Sequence, residues 1–97
     1  AMDFYQKIGD KESQSWAVTE IASSWARVGQ FDKALQTAQK VSDAEVRSNT
    51  LSEIAMAMTR AGQLDKSLKV PQTIQDPLAR LDTLARIINV IKAQKQQ

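Results

Sequence analysis

Apolar side chains recur along this chain at the spacing that gathers them on one face of an α-helix. Val18, Ile21, Ala22 and Trp25 stand at i, i+3, i+4 and i+7, and Leu51, Ile54, Ala55 and Met58 copy that stripe. Ala34, Leu35, Ala38 and Val41 form a shorter one, and Leu81, Leu84, Ile87, Ile88 and Ile91 form the last. The stripes predict a first helix over 11–28, a second over 31–41 and a third over 44–61. A fourth begins near Leu64 and carries Leu68 and Ile74; Pro71 predicts a kink or an early end near Val70. A fifth starts at Asp76-Pro77 and fades in Lys95-Gln96-Gln97.

The punctuation agrees with the stripes. Asp10, Asp43 and Asp76 read as N-caps, short carboxylates placed to accept from free amides of a first turn. Pro77 takes a first helical position, where a missing N–H costs nothing. Gly29 and Gly62 end the first and third helices as residues that accept positive φ. Asp32 sits in the first turn of the second helix and complements its dipole.

A longer period lies over the helical one. Gly29-Gln30-Phe31-Asp32-Lys33-Ala34-Leu35 returns 33 residues later as Gly62-Gln63-Leu64-Asp65-Lys66-Ser67-Leu68. Ile21-Ala22 becomes Ile54-Ala55, Arg27 becomes Arg60, and Val41-Ser42-Asp43 becomes Ile74-Gln75-Asp76. Self-similarity at a fixed period of this size is the mark of a repeat architecture. The units are 10–42 and 43–75. Residues 1–9 fit the second helix of a preceding unit, and 76–97 form a last helix expected to cap the open end. Residue 1 therefore falls inside a unit, which fits a piece of a longer array, or a cloning remnant ahead of Met2.

Composition narrows the chemistry. The chain has 97 residues, three Gly and two Pro, too few turn formers for an all-β fold. It has neither His nor Cys, which removes the imidazole base, the thiolate nucleophile and the usual zinc ligands. It carries no Gly-rich phosphate loop. The eleven acids are spread at repeat spacing rather than paired, so no enzyme, cofactor or metal is expected. A net charge of +2 argues against nucleic acid, leaving RNA binding through Arg and Lys as a third, weaker reading. No apolar run approaches a membrane span, and no leader is visible; with the lack of Cys this points to the cytoplasm.

The helix pair joined by Gly29, Phe31 and Asp32 resembles the tetratricopeptide repeat, and is close to degenerate bacterial forms of it. The likeness rests on Val18, Ile21-Ala22 and Trp25, repeated as Leu51, Ile54-Ala55 and Met58, and on Ala34 and Ser67 at the small position of each second helix. The period is one residue shorter than the family's usual one, and the Pro that often ends the second helix is absent after the first unit and moved to Pro77 after the second. The resemblance implies an all-α fold: a right-handed α-solenoid of antiparallel helix pairs, about five helices plus a partial N-terminal one. It also implies a non-enzymatic protein–protein interaction module whose first helices line a concave groove for a peptide or protein. By alignment that groove presents Trp16, Thr19, Glu20, Ser23 and Arg27, then Asn49, Ser52, Glu53, Met56 and Arg60, then Asp82, Arg86, Asn89 and Lys92.

Arg and Asn hold a carboxylate or a peptide backbone by directed hydrogen bonds, and Trp16, off the stripe, offers an aromatic anchor. The bland alternative is a solvated face with weak ion pairs, such as Glu53 with Arg86. Arg47 and Arg80, four residues after Asp43 and Asp76, are expected to pair with them along the helix. A rival reading is architectural: a spacer or self-assembly segment whose open ends stack on other copies.

Overall fold

A computed structural model describes residues 11–95. The expected cap at Asp10, the partial helix over 1–9 and the last two glutamines lie outside them. Among the described residues the chain is all-helical: α1 (Lys11–Arg27), α2 (Phe31–Ala38), α3 (Ala44–Arg60), α4 (Leu64–Ser67), one 3₁₀ turn (Pro71–Thr73) and α5 (Pro77–Lys95). The helix α1 packs on α2 and α3, and α3 packs in addition on α2, α4 and α5.

The two Gly turns are built alike. Gly29 and Gly62 hold φ of 81° and 83°. The N–H of Gly29 donates to Ala26 O at 3.1 Å and that of Gln30 to Trp25 O at 3.0 Å. Gly62 and Gln63 do the same to Thr59 O and Met58 O, at 3.1 and 2.8 Å. This pair of bonds is the Schellman motif, which satisfies carbonyls the helix end leaves open. At the N-terminus of α3, Asp43 Oδ1 accepts from Val46 N at 3.0 Å, as its spacing predicts. Asp76 Oδ1 accepts from Leu78 N at 3.2 Å beside Pro77.

The second helices are shorter than their stripes. α2 stops at Ala38, where Lys40 N and Val41 N turn back to Thr37 O and Ala38 O in tighter three-residue bonds. That turn drives Val41 into the interior. α4 stops at Ser67, earlier than the expected break near Val70. The physical reason is Pro71, whose ring would strike the carbonyl four residues before it, which is that of Ser67.

The core centres on α3. Leu51, Ile54, Ala55 and Met58 are all buried, joined by Ala22 of α1, Ala34 and Ala38 of α2, Val70, Ile74 and Ile87 of α5. The outer helices use only part of their stripes. Ile21 of α1 and Leu81 and Ile88 of α5 are exposed, while Trp25, Leu35 and Ile91 pack on the core half-buried. The same pattern of residues is thus fully covered only where a long helix lies on both sides. On the outer side of α5 Leu78, Leu81 and Ile88 are open to solvent, with Lys92 one turn beyond Ile88.

Candidate functional site: a trough between α3 and α5

Hydroxyl groups set how the long helices meet. Thr19 Oγ1 of α1 lies 2.9 Å from Thr50 Oγ1 of α3. Thr50 already gives its one hydrogen to Val46 O at 2.8 Å, so Thr19 is the donor. One unit later Ser52 of α3 meets Thr83 of α5, and Thr83 gives its hydrogen to Ala79 O at 2.9 Å, so Ser52 donates. Thr19 and Thr50 map onto Ser52 and Thr83 by the same 33-residue step, so the two junctions share one polar contact. Small Ser, Thr and Ala side chains here let α1, α3 and α5 approach closely.

Past the Ser52–Thr83 contact the helices α3 and α5 open into a trough of about 630 Å³. Met56 and Arg60 line it from α3; Arg86, Asn89, Val90, Ala93 and Gln94 line it from α5. Met56 and Val90 are half-buried and floor it with apolar surface, while Arg60, Arg86 and Asn89 stand exposed at its edges. Gln94 Nε2 donates to Arg60 O at 3.3 Å and ties the closed end of α3 to α5. Arg86 Nε pairs with Asp82 Oδ2 at 3.0 Å, four residues back on its own helix, both side chains about half exposed. The pair that the solvated-face alternative offered, Glu53 with Arg86, does not form; Arg86 takes Asp82, which the i,i+4 spacing brings within reach on one helix face. Among the described residues Arg60 has no carboxylate partner.

The rest of the predicted groove is distributed as follows. Ser52 is a correction: it is buried and its hydroxyl is committed to Thr83, so it holds helices together rather than meeting a partner. Thr19 is half-buried and committed likewise to Thr50. Glu20, Arg27, Glu53, Asp82 and Lys92 are exposed, Ser23 is half-buried, and Trp16 is open to solvent as its place off the stripe predicts. Asn49 lies in a second hollow at the N-terminal ends of α3 and α5, together with Glu45, Arg47 and Asp76.

That hollow, at about 680 Å³, is slightly larger than the trough, and two of its polar groups, Arg47 and Asp76, are taken up by the fold. Arg47 Nη1 donates to Val41 O at 2.7 Å, and Arg80 Nε and Nη2 donate to Ile74 O at 3.0 and 2.8 Å. The expected pairs of Arg47 with Asp43 and of Arg80 with Asp76 are therefore corrected. Each Asp is taken up by the amides of its own helix start, and each Arg caps a carbonyl that the preceding turn leaves open. Sequence reasoning also missed Val90, Ala93 and Gln94 in the trough. They stand beside Asn89 and Lys92 of the aligned set, and Gln94 becomes a wall because it reaches the carbonyl of Arg60 at the end of α3.

Among the described residues no helix is long and apolar enough to cross a membrane. No family model matches the chain, and no curated protein or solved structure matches it significantly.

Proposed function

We propose that this chain is a tetratricopeptide-like α-solenoid segment that binds a peptide or protein in the trough between α3 and α5. In this reading α1 with α2 and α3 with α4 are antiparallel pairs of a right-handed array. The long helices line its concave side. The observation that carries the proposal is the meeting of Met56, Arg60, Arg86 and Asn89 along one trough, four residues picked by repeat alignment alone. Their chemistry suits a peptide. Met56 and Val90 give an adaptable apolar floor, and guanidinium and amide groups at the rim give directed donors for backbone carbonyls or a carboxylate.

The test is selection of peptides from a random display library against the intact chain, followed by affinity measurement on a double variant, Arg60→Ala with Arg86→Ala. The expected loss is about tenfold or more, equivalent to ~1.4 kcal/mol. The melting temperature should move little, because both side chains are exposed and surface pairs contribute ~0–1 kcal/mol. Unchanged affinity in the double variant would remove the trough as the binding site.

A further inference from the structure

Because positions on the long helices occur in three copies, a buried copy shows what an exposed one lacks. Thr50, Ile54 and, one unit on, Thr83 and Ile87 face the preceding long helix, since Thr50 bonds to Thr19 and Thr83 to Ser52. Ile54 and Ile87 are 1% and 0% exposed; their equivalent on α1, Ile21, is 53% exposed. On the opposite face, toward the following long helix, Ala22 and Ala55 are both 0% exposed. Their equivalent on α5, Ile88, is 49% exposed, and Leu81, two turns before it on the same side, is 65% exposed.

We infer that a second copy of this chain docks end to end, the Leu81–Ile88 face of α5 against the Ile21 face of α1 in the next copy. Three observations select this occupant. The step from α1 to α3 is already repeated from α3 to α5 with equivalent hydroxyl partners, so the packing operation exists within the chain. At the open junction both hydroxyl positions are alanine: Ala85 where Thr19 and Ser52 stand, and Ala17 where Thr50 and Thr83 stand. Losing both together strands no polar group, whereas a hydroxyl left on one side alone would be unsatisfied on burial. Volume is exchanged in the same way. Ile88 is larger than the Ala it replaces, and Ala17 is smaller than the Thr it replaces. A two-fold pairing through α5 alone would cover Ile88 but leave Ile21 open.

The contact is heterologous, so each copy that docks leaves one face free for the next. It also sets Glu20, Ser23 and Arg27 of the second copy beside α5 and repeats the trough along the stack. It stands independently of what the trough binds.

Sedimentation velocity over a rising concentration series of the 97-residue chain tests it. The wild type should shift to larger species with concentration. Ile21→Lys and Ile88→Lys should each be monomeric alone, because each spoils one of the two faces. Mixed in equal amounts they should form one-to-one dimers of twice the monomer mass, since each supplies the face the other lacks, and stop there. Circular dichroism confirms folding, and Leu81→Lys replaces Ile88→Lys if that variant does not fold. A wild type that is monomeric at millimolar concentration, an Ile21→Lys variant that still associates, or a mixture that fails to dimerise each overturns the proposal.

Discussion

The buried hydroxyl contact between α3 and α5 yields a prediction in which identical chemistry has unequal consequences. Thr83→Val removes the acceptor of Ser52, and both residues are buried, so the Ser52 hydroxyl is left without partner or water. Stranding a buried donor costs about 1–3 kcal/mol, and the methyl for hydroxyl exchange leaves volume nearly unchanged. We expect Thr83→Val to lower stability by about 2 kcal/mol, roughly 8–16 °C in melting temperature for a domain of this size. Thr50→Val is the same change one unit earlier, but Thr19 is half-exposed and turns to water, so the loss should be only about 0.5–1 kcal/mol. Ser52→Ala should also be mild, because Thr83 keeps its bond to Ala79 O. Combining Ser52→Ala with Thr83→Val removes the stranded hydroxyl and should recover about 1 kcal/mol of the Thr83→Val loss. Urea unfolding at low protein concentration, with the slope checked for constancy, measures all four. Equal losses for Thr50→Val and Thr83→Val, or a double variant as unstable as the sum of its singles, would refute the reasoning.

Two further outcomes follow from the same coordinates. Gly29→Ala and Gly62→Ala each place a methyl group in open space, so only the backbone resists. The positive φ costs about 1–2 kcal/mol, partly offset by a stiffer unfolded chain, and thermal melts should show similar losses of about 1 kcal/mol for both. Neighbouring isoleucines should differ sharply in the monomer: Ile87→Ala, in the core, should cost about 2–4 kcal/mol, and Ile88→Ala, half-exposed, less than about 1 kcal/mol by denaturant titration.

Much of this fold was legible in the sequence because its signals are local. The Gly29 and Gly62 turns, the Asp43 cap and the start at Pro77 each depend on a few adjacent residues, and the structure has them where the spacing predicts. Ile21, Ile54 and Ile87 show where legibility ends. They occupy one repeat position, yet only two are buried, because burial is decided by whether another long helix lies alongside. The corrections have the same origin. Pairing Arg47 with Asp43 looked natural on a helix wheel, but the carbonyl of Val41, exposed by the turn before α3, is a closer acceptor and comes from outside the helix. Ser52 read as a groove residue by alignment; its burial arises from Thr83, 31 residues away, which period alone does not mark as its partner. For the trough, alignment found Met56, Arg60, Arg86 and Asn89 because equivalent positions on packed helices share a side. It missed Gln94, whose role depends on a tertiary contact with the end of α3.

The most direct measurement of the central claim is an isotope-labelled NMR titration of the chain with a display-selected peptide. The account predicts that shift changes concentrate on Met56, Arg60, Arg86, Asn89 and Val90, and that Arg60→Ala with Arg86→Ala abolishes them at the same peptide concentration. Changes concentrated instead on the hollow of Glu45 and Asp76, or on the α2 and α4 side around Leu35 and Lys69, would contradict it.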